Sequence, residues 1–179
     1  MVHINASAAA LLEERQQARE ALAQVKDAAR SAYRMFEQWR GTGAASSQES
    51  AAVLVTTLCG LLRRTGVRVE TRIEGVLPFD GHDADAVCVL ENLLLNAGRE
   101  AILAGRPEIQ VLLTEAQIRI TNPVRDAEQL DERIYEEGVS YEGSTGRGLT
   151  IARESAERIG WRLMHAVSND RVTFVLRRR

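Results

Sequence analysis

Apolar positions along this chain follow two rhythms, and the points where one gives way to the other mark its elements. Over residues 6–40, Leu11, Ala18, Leu22, Val25, Ala29, Ala32, Phe36 and Trp39 keep a three-four spacing with Arg15 as the one break. That is a coiled-coil seam, so a long helix is expected whose stripe needs a second helix or a second copy to bury it. Glycine, alanine and serine over 41–47 make a linker, and Ser46 or Ser47 can cap the next helix. Residues 48–65 are again amphipathic at the helical period and stop at Gly66. Residues 67–73 alternate apolar and polar, as a half-buried strand does.

Past a loop over 75–81, Asp83 or Asp85 can cap a helix that runs to about Ala104 and ends at Gly105, Arg106 and Pro107. Strands over 109–113 and 117–121 flank a three-residue turn, a hairpin stopped by Asn122 and Pro123. Residues 123–147 read as a polar loop with a short helix near 128–135. A helix over 149–159 closes at Gly160, and strands over 161–167 and 171–176 are joined by Ser168, Asn169 and Asp170. Helices and strands mix without a strict βαβ repeat. The expected fold class is α+β, a two-layer sandwich of a mixed, mostly antiparallel sheet with three helices on one face. A long helix and linker (1–44) precede that domain (45–179).

Composition narrows the classes. The 179 residues are 45% hydrophobic and 27% charged, which is globular rather than disordered. A net charge of -2 gives no broad footprint for nucleic acid. Cys59 and Cys88 lie in apolar runs and read as small buried hydrophobes. His3, His82 and His165 are scattered and make no metal constellation. No signal peptide or bilayer-spanning run is visible, so no direct membrane contact and a cytoplasmic setting are expected, with a membrane sensor ahead of this segment still compatible.

Candidate chemistry centres on residues 91–101. Asn92, Asn96 and Glu100 recur every four residues and share one helix face, while the leucines between them turn away. Arg99 adds a positive charge at the edge of that face. A row of amides and a carboxylate beside an apolar face suits a rim that chelates something polar. Further on, Gly146 and Gly148 precede a helix, where free backbone amides and the helix dipole suit phosphate.

The stretch Asn92-Leu93-Leu94-Leu95-Asn96-Ala97-Gly98-Arg99-Glu100-Ala101 resembles the N-box of the GHKL, or Bergerat-fold, ATPases in the form found in sensor histidine kinases. Residues 134–149, which hold Glu136, Gly138, Ser140, Gly143, Gly146, Arg147, Gly148 and Leu149, resemble the ATP lid and G2 box of that group, nearest to its quorum-sensing and citrate-sensor members. The likeness covers about residues 48–176. It implies ATP and Mg²⁺ as cofactors, the metal reached by Asn96 through ATP, and phosphates near Asn92, Arg99, Gly143, Gly146, Arg147, Gly148 and Leu149. It also implies a homodimer through the 6–40 helix, with 1–44 as a dimerisation-type helix and linker, and a response regulator as partner.

Three departures stand out. Asn122 takes the position of the family's adenine-facing Asp, Thr150 that of the third G2 glycine, and Glu142 that of a lid Lys. An amide oxygen still accepts from an amino group, without charge assistance, and a carboxylate repels a triphosphate. No histidine stands in the family's phosphoacceptor pattern. The reading is therefore the ATP-binding region of a bacterial two-component sensor histidine kinase acting on a His outside this segment. The alternatives are a degenerate non-catalytic scaffold or phosphotransfer partner that docks a response regulator, and an anti-sigma-factor-like serine kinase.

Overall fold

The computed structural model describes residues 50–77, 83–125, 127, 130–136 and 147–179, together with positions 13, 16, 20 and 23. The long helix over 6–40 otherwise lies outside the described residues; Glu13, Gln16, Glu20 and Ala23 are helical. The elements are α1 (Ser50–Arg64), β1 (Arg68–Ile73), α2 (Asp83–Leu103), β2 (Glu108–Leu113), β3 (Gln117–Pro123), a 3-10 turn (Glu132–Tyr135), α3 (Gly148–Arg158), β4 (Trp161–Ser168) and β5 (Arg171–Arg178).

The five strands form one sheet in the order β1-β2-β3-β5-β4. Only β1 and β2 are parallel, because α2 connects them as a crossover; the other pairs are antiparallel. Alternation puts Ile109, Val111 and Leu113 of β2, Ile118 and Ile120 of β3, and Val172, Phe174 and Leu176 of β5 on the covered face. The three helices close that face, and Leu90, Leu93, Leu94, Ala97 and Ala101 of α2 fill its centre. Each fully buried leucine there stabilises the fold by about 1.5–3 kcal/mol. Cys59 is part of the same core, and burial pushes its thiol up, so it serves as a neutral apolar group.

The structure redraws three local features. Asn122 and Pro123 do not stop β3; they belong to it and pair with Val172 and Arg171 of β5. Proline is tolerated because the β2 ladder has already ended at Thr121, so its missing N–H faces no acceptor strand. The helix expected near 128–135 is a single 3-10 turn, started by the Asp131 side chain accepting from the Arg133 amide. Asp85 lies inside the first turn of α2, where its carboxylate takes Arg158 Nη2 at 2.8 Å and ties the start of α2 to the end of α3.

Across the open face, Glu108 of β2 is gripped by Arg68 of β1 and Arg171 of β5. Those two guanidinium groups, Arg68 foremost, hold its carboxyl below the ordinary range. A carboxylate depressed on folding adds stability above its unfolded pKa of about 4.3 and loses it as pH falls through the folded value. Glu108→Gln is therefore expected to be less stable than the parent at neutral pH, with the gap closing as pH is lowered through the carboxylate range in urea titrations.

A paired glycine comparison tests the packing. At Gly75 a Cβ would stand 2.9 Å from the Glu115 amide nitrogen and 2.5 Å from its Cγ, whereas at Gly60 nothing lies within 4 Å. Gly75→Ala is expected to cost about 1–3 kcal/mol through overpacking. Gly60→Ala, inside α1, is expected to add about 0.5–1 kcal/mol; denaturant melts of the two variants check both signs.

Candidate functional site

The polar face of α2 survives folding as half-buried Asn92, Asn96, Arg99 and Glu100, opposite the fully buried Leu93, Leu94, Ala97 and Ala101. One helix thus satisfies the core with one side and presents amides and charges with the other. Asn92 Nδ2 donates to the Cys88 carbonyl at 2.7 Å, which holds the amide one turn back along the helix. That leaves its Oδ1 facing the start of α3. A Cβ placed on Gly148 would stand 3.2 Å from this oxygen, so glycine lets the two helices approach closely here. Asn96 makes no side-chain hydrogen bond among the described residues.

Arg99 is turned onto its neighbour: Nη2 and Nε stand 2.6 and 3.2 Å from Glu100 Oε1. Both side chains are largely covered, at 20% and 17% exposure.

Asn122 continues the alternation of Ile118 and Ile120, so its side chain enters the space between β3 and the helices and is fully buried. Its Nδ2 donates to the Pro123 carbonyl at 2.9 Å. Its Oδ1 is buried and has no hydrogen-bond partner among the described residues. The amide cannot simply flip to cure this, because the oxygen would then face the Pro123 carbonyl. A buried acceptor left without a donor costs about 1–3 kcal/mol. This atom is therefore the strongest sign that the covered side of β3 is meant to receive a donor.

The ends of α2 and β3 lie together. Arg106, just past α2, pairs with Asp170, and the Val124 amide, just past β3, donates to the Asp170 carbonyl at 2.9 Å. The polar row of α2 therefore runs from Asn92 through Asn96 and Arg99 toward the end of the helix nearest Asn122. The structure thus gathers Asn92 and Gly148 at one end and places Asn122 at the other. Arg147 is exposed and Leu149 half-buried at the opening turn of α3, whose first amides lack intrahelical acceptors. Arg147, the residue before that helix, makes no side-chain cap. Gly143 and Gly146 lie outside the described residues.

Three contacts around Tyr135 were not foreseen from sequence. Thr150 Oγ donates to the Tyr135 carbonyl at 2.9 Å and so ties the 3-10 turn to α3. Tyr135 itself is 1% exposed, with its hydroxyl 3.2 Å from His165 Nδ1 and Arg153 5.0 Å above its ring. The one available signal was the apolar pair Ile134-Tyr135 in an otherwise polar stretch. Among the described residues no cluster of His, Cys, Asp and Glu could hold a metal by itself, and no helix is long and apolar enough to cross a membrane.

No protein-family model matches the sequence, and no curated protein does. Solved structures do match by fold. The catalytic domain of the histidine kinase ThkA, in a nucleotide-free form, aligns with a TM-score of 0.50 at 20% identity, over 72% of this chain and 90% of that one. The cytoplasmic segment of the histidine kinase QseC aligns with a TM-score of 0.54 at 13% identity, over 88% and 94%. A mycobacterial sensor histidine kinase, MprB, gives 0.53 at 14% identity, over 70% and 92%. At these identities the likeness is one of architecture, and the conclusion it carries is that this chain has the fold of sensor histidine kinase catalytic domains.

Proposed function

We propose that this chain binds Mg-ATP in the space between α2, β3 and α3, and that it is the ATP-binding catalytic region of a bacterial sensor histidine kinase. The observation that carries the reading is the Oδ1 of Asn122, buried and without a partner among the described residues. An adenine amino group supplies the donor this atom lacks, and the Pro123 carbonyl keeps the amide turned so that its oxygen faces the base.

The remaining roles follow the polar row. Asn92 and Arg147 line the outer phosphate end, with the opening amides of α3 at Gly148 and Leu149 offering donors to phosphate oxygens, and Arg99, between Asn96 and Asn122, faces the phosphate nearest the nucleoside. Gly143 and Gly146 belong to this group by sequence likeness. Mg²⁺ would be held by Asn96 together with the nucleotide phosphates and would neutralise their charge. The reaction joins a histidine nitrogen to the γ-phosphorus and breaks the bond to the β,γ-bridging oxygen, releasing ADP. The accepting histidine comes from outside this segment. This chain's work is then to position the nucleotide and stabilise its charge. In the same reading residues 1–44 pair two copies through the 6–40 helix in the cytoplasm, and a response regulator takes the phosphoryl group onward.

Ligand that binds only the native state must stabilise it. Mg-ADP at a hundred times its Kd is expected to add about 2.7 kcal/mol to unfolding stability, and Asn96→Ala to lose the magnesium-dependent part of that gain. No shift at millimolar nucleotide contradicts the reading and favours a scaffold without nucleotide.

Asn122 gives a second test that separates stability from binding. Asn122→Leu removes the unsatisfied oxygen along with one hydrogen bond, so the ligand-free protein is expected to stay within about 1 kcal/mol of the parent. Its affinity for Mg-ADP is expected to fall by about tenfold or more, or about 1.4 kcal/mol. Denaturant melts and calorimetric titration check the two halves.

A further inference from the structure

The pairing of Arg99 with Glu100 is unusual for its spacing. Residues one apart on a helix do not face each other, so Arg99 must reach sideways to place Nη2 2.6 Å from Glu100 Oε1. Among the described residues, Glu100 is its only hydrogen-bond or ion-pair partner. The pair lies one turn beyond Asn96, on the stretch of α2 that leads toward Asn122. The one arginine on the polar face of α2 is thus neutralised from within by an adjacent carboxylate. An arriving polyphosphate competes with Glu100 for this guanidinium and also meets the repulsion of the carboxylate itself.

We infer that Glu100 sets the affinity of the site for the polyphosphate of a nucleoside di- or triphosphate by holding Arg99. This rests on the nucleotide reading above and deepens it. Glu100 is a positioning residue: it acts through Arg99 and weakens the hold on phosphate, favouring release. Asn96 would hold the magnesium-bearing end by itself, so the two residues act independently and with opposite signs. Replacing the carboxylate by its uncharged isostere removes the charge that holds the guanidinium without altering the shape of the helix face.

Calorimetric titrations of the parent, Glu100→Gln, Arg99→Ala and the double variant, with Mg-ADP and with adenosine as probes, test this. Glu100→Gln is expected to bind Mg-ADP roughly three- to tenfold tighter, in keeping with a partly buried ion pair. Adenosine, which has no phosphate, should bind both equally, and the gain should vanish in the Arg99→Ala background. Equal or weaker Mg-ADP binding by Glu100→Gln overturns the inference. So does loss of its magnesium dependence, which would make Glu100 a metal ligand, and so does equal tightening toward adenosine, which would mark a general change in packing. Glu100→Ala should shift Mg-ADP affinity in the same direction as Glu100→Gln, and a shift the other way overturns the inference. If the parent binds Mg-ADP and Glu100→Gln does not tighten it, this inference alone fails. If the parent does not bind Mg-ADP, both readings fail.

Discussion

The contact on which the rest depends is the burial of α2 against β2 and β3. Leu90, Leu93, Leu94, Ala97 and Ala101 leave no room for water on one side of the helix, which fixes its rotation. Once the rotation is fixed, Asn92, Asn96, Arg99 and Glu100 have one place to go. The same docking forces β1 and β2 to run parallel and brings the end of α2 beside the end of β3, where Arg106 and the Val124 amide share Asp170. The site is thus a by-product of core packing on one face of a single helix, with its far wall supplied by the first turn of α3.

Strand and helix identities were legible because the two periods are strong where the layers meet. Ile109 to Leu113 and Val172 to Leu176 alternate cleanly because each strand has one covered face. The polar row of α2 was legible for the same reason, since three- and four-residue spacing determines a face before any partner is known. The contents of the 123–147 stretch were not. The 3-10 turn within it depends on single contacts, such as Thr150 to the Tyr135 carbonyl and Asp131 to the Arg133 amide, which leave no periodic trace. Pro123 misled for a definable reason. Proline stops a strand only where its missing N–H is needed, and the β2 ladder ends two residues earlier.

The asparagine at 122 reads differently in sequence and in structure. As a letter it is a loss of charge relative to the Asp that the resemblance expects. As an atom it is a buried acceptor aimed into the space between the layers and held there by the next residue's carbonyl. Hydrogen bonding needs an acceptor in the right place, and charge only strengthens it. On α2 the pattern is reversed, with the positive charge of Arg99 present and partly cancelled by Glu100. In the proposed reading both features reduce electrostatic strength, as would suit a nucleotide that must be bound and then released.

The most direct test is a crystal structure of the protein grown with Mg²⁺ and a non-hydrolysable ATP analogue. The account predicts the adenine amino group within hydrogen-bonding distance of Asn122 Oδ1, with the phosphates lying along Asn96 toward Gly148. Nucleotide bound elsewhere, or bound here with Asn122 Oδ1 still unpartnered, would contradict it.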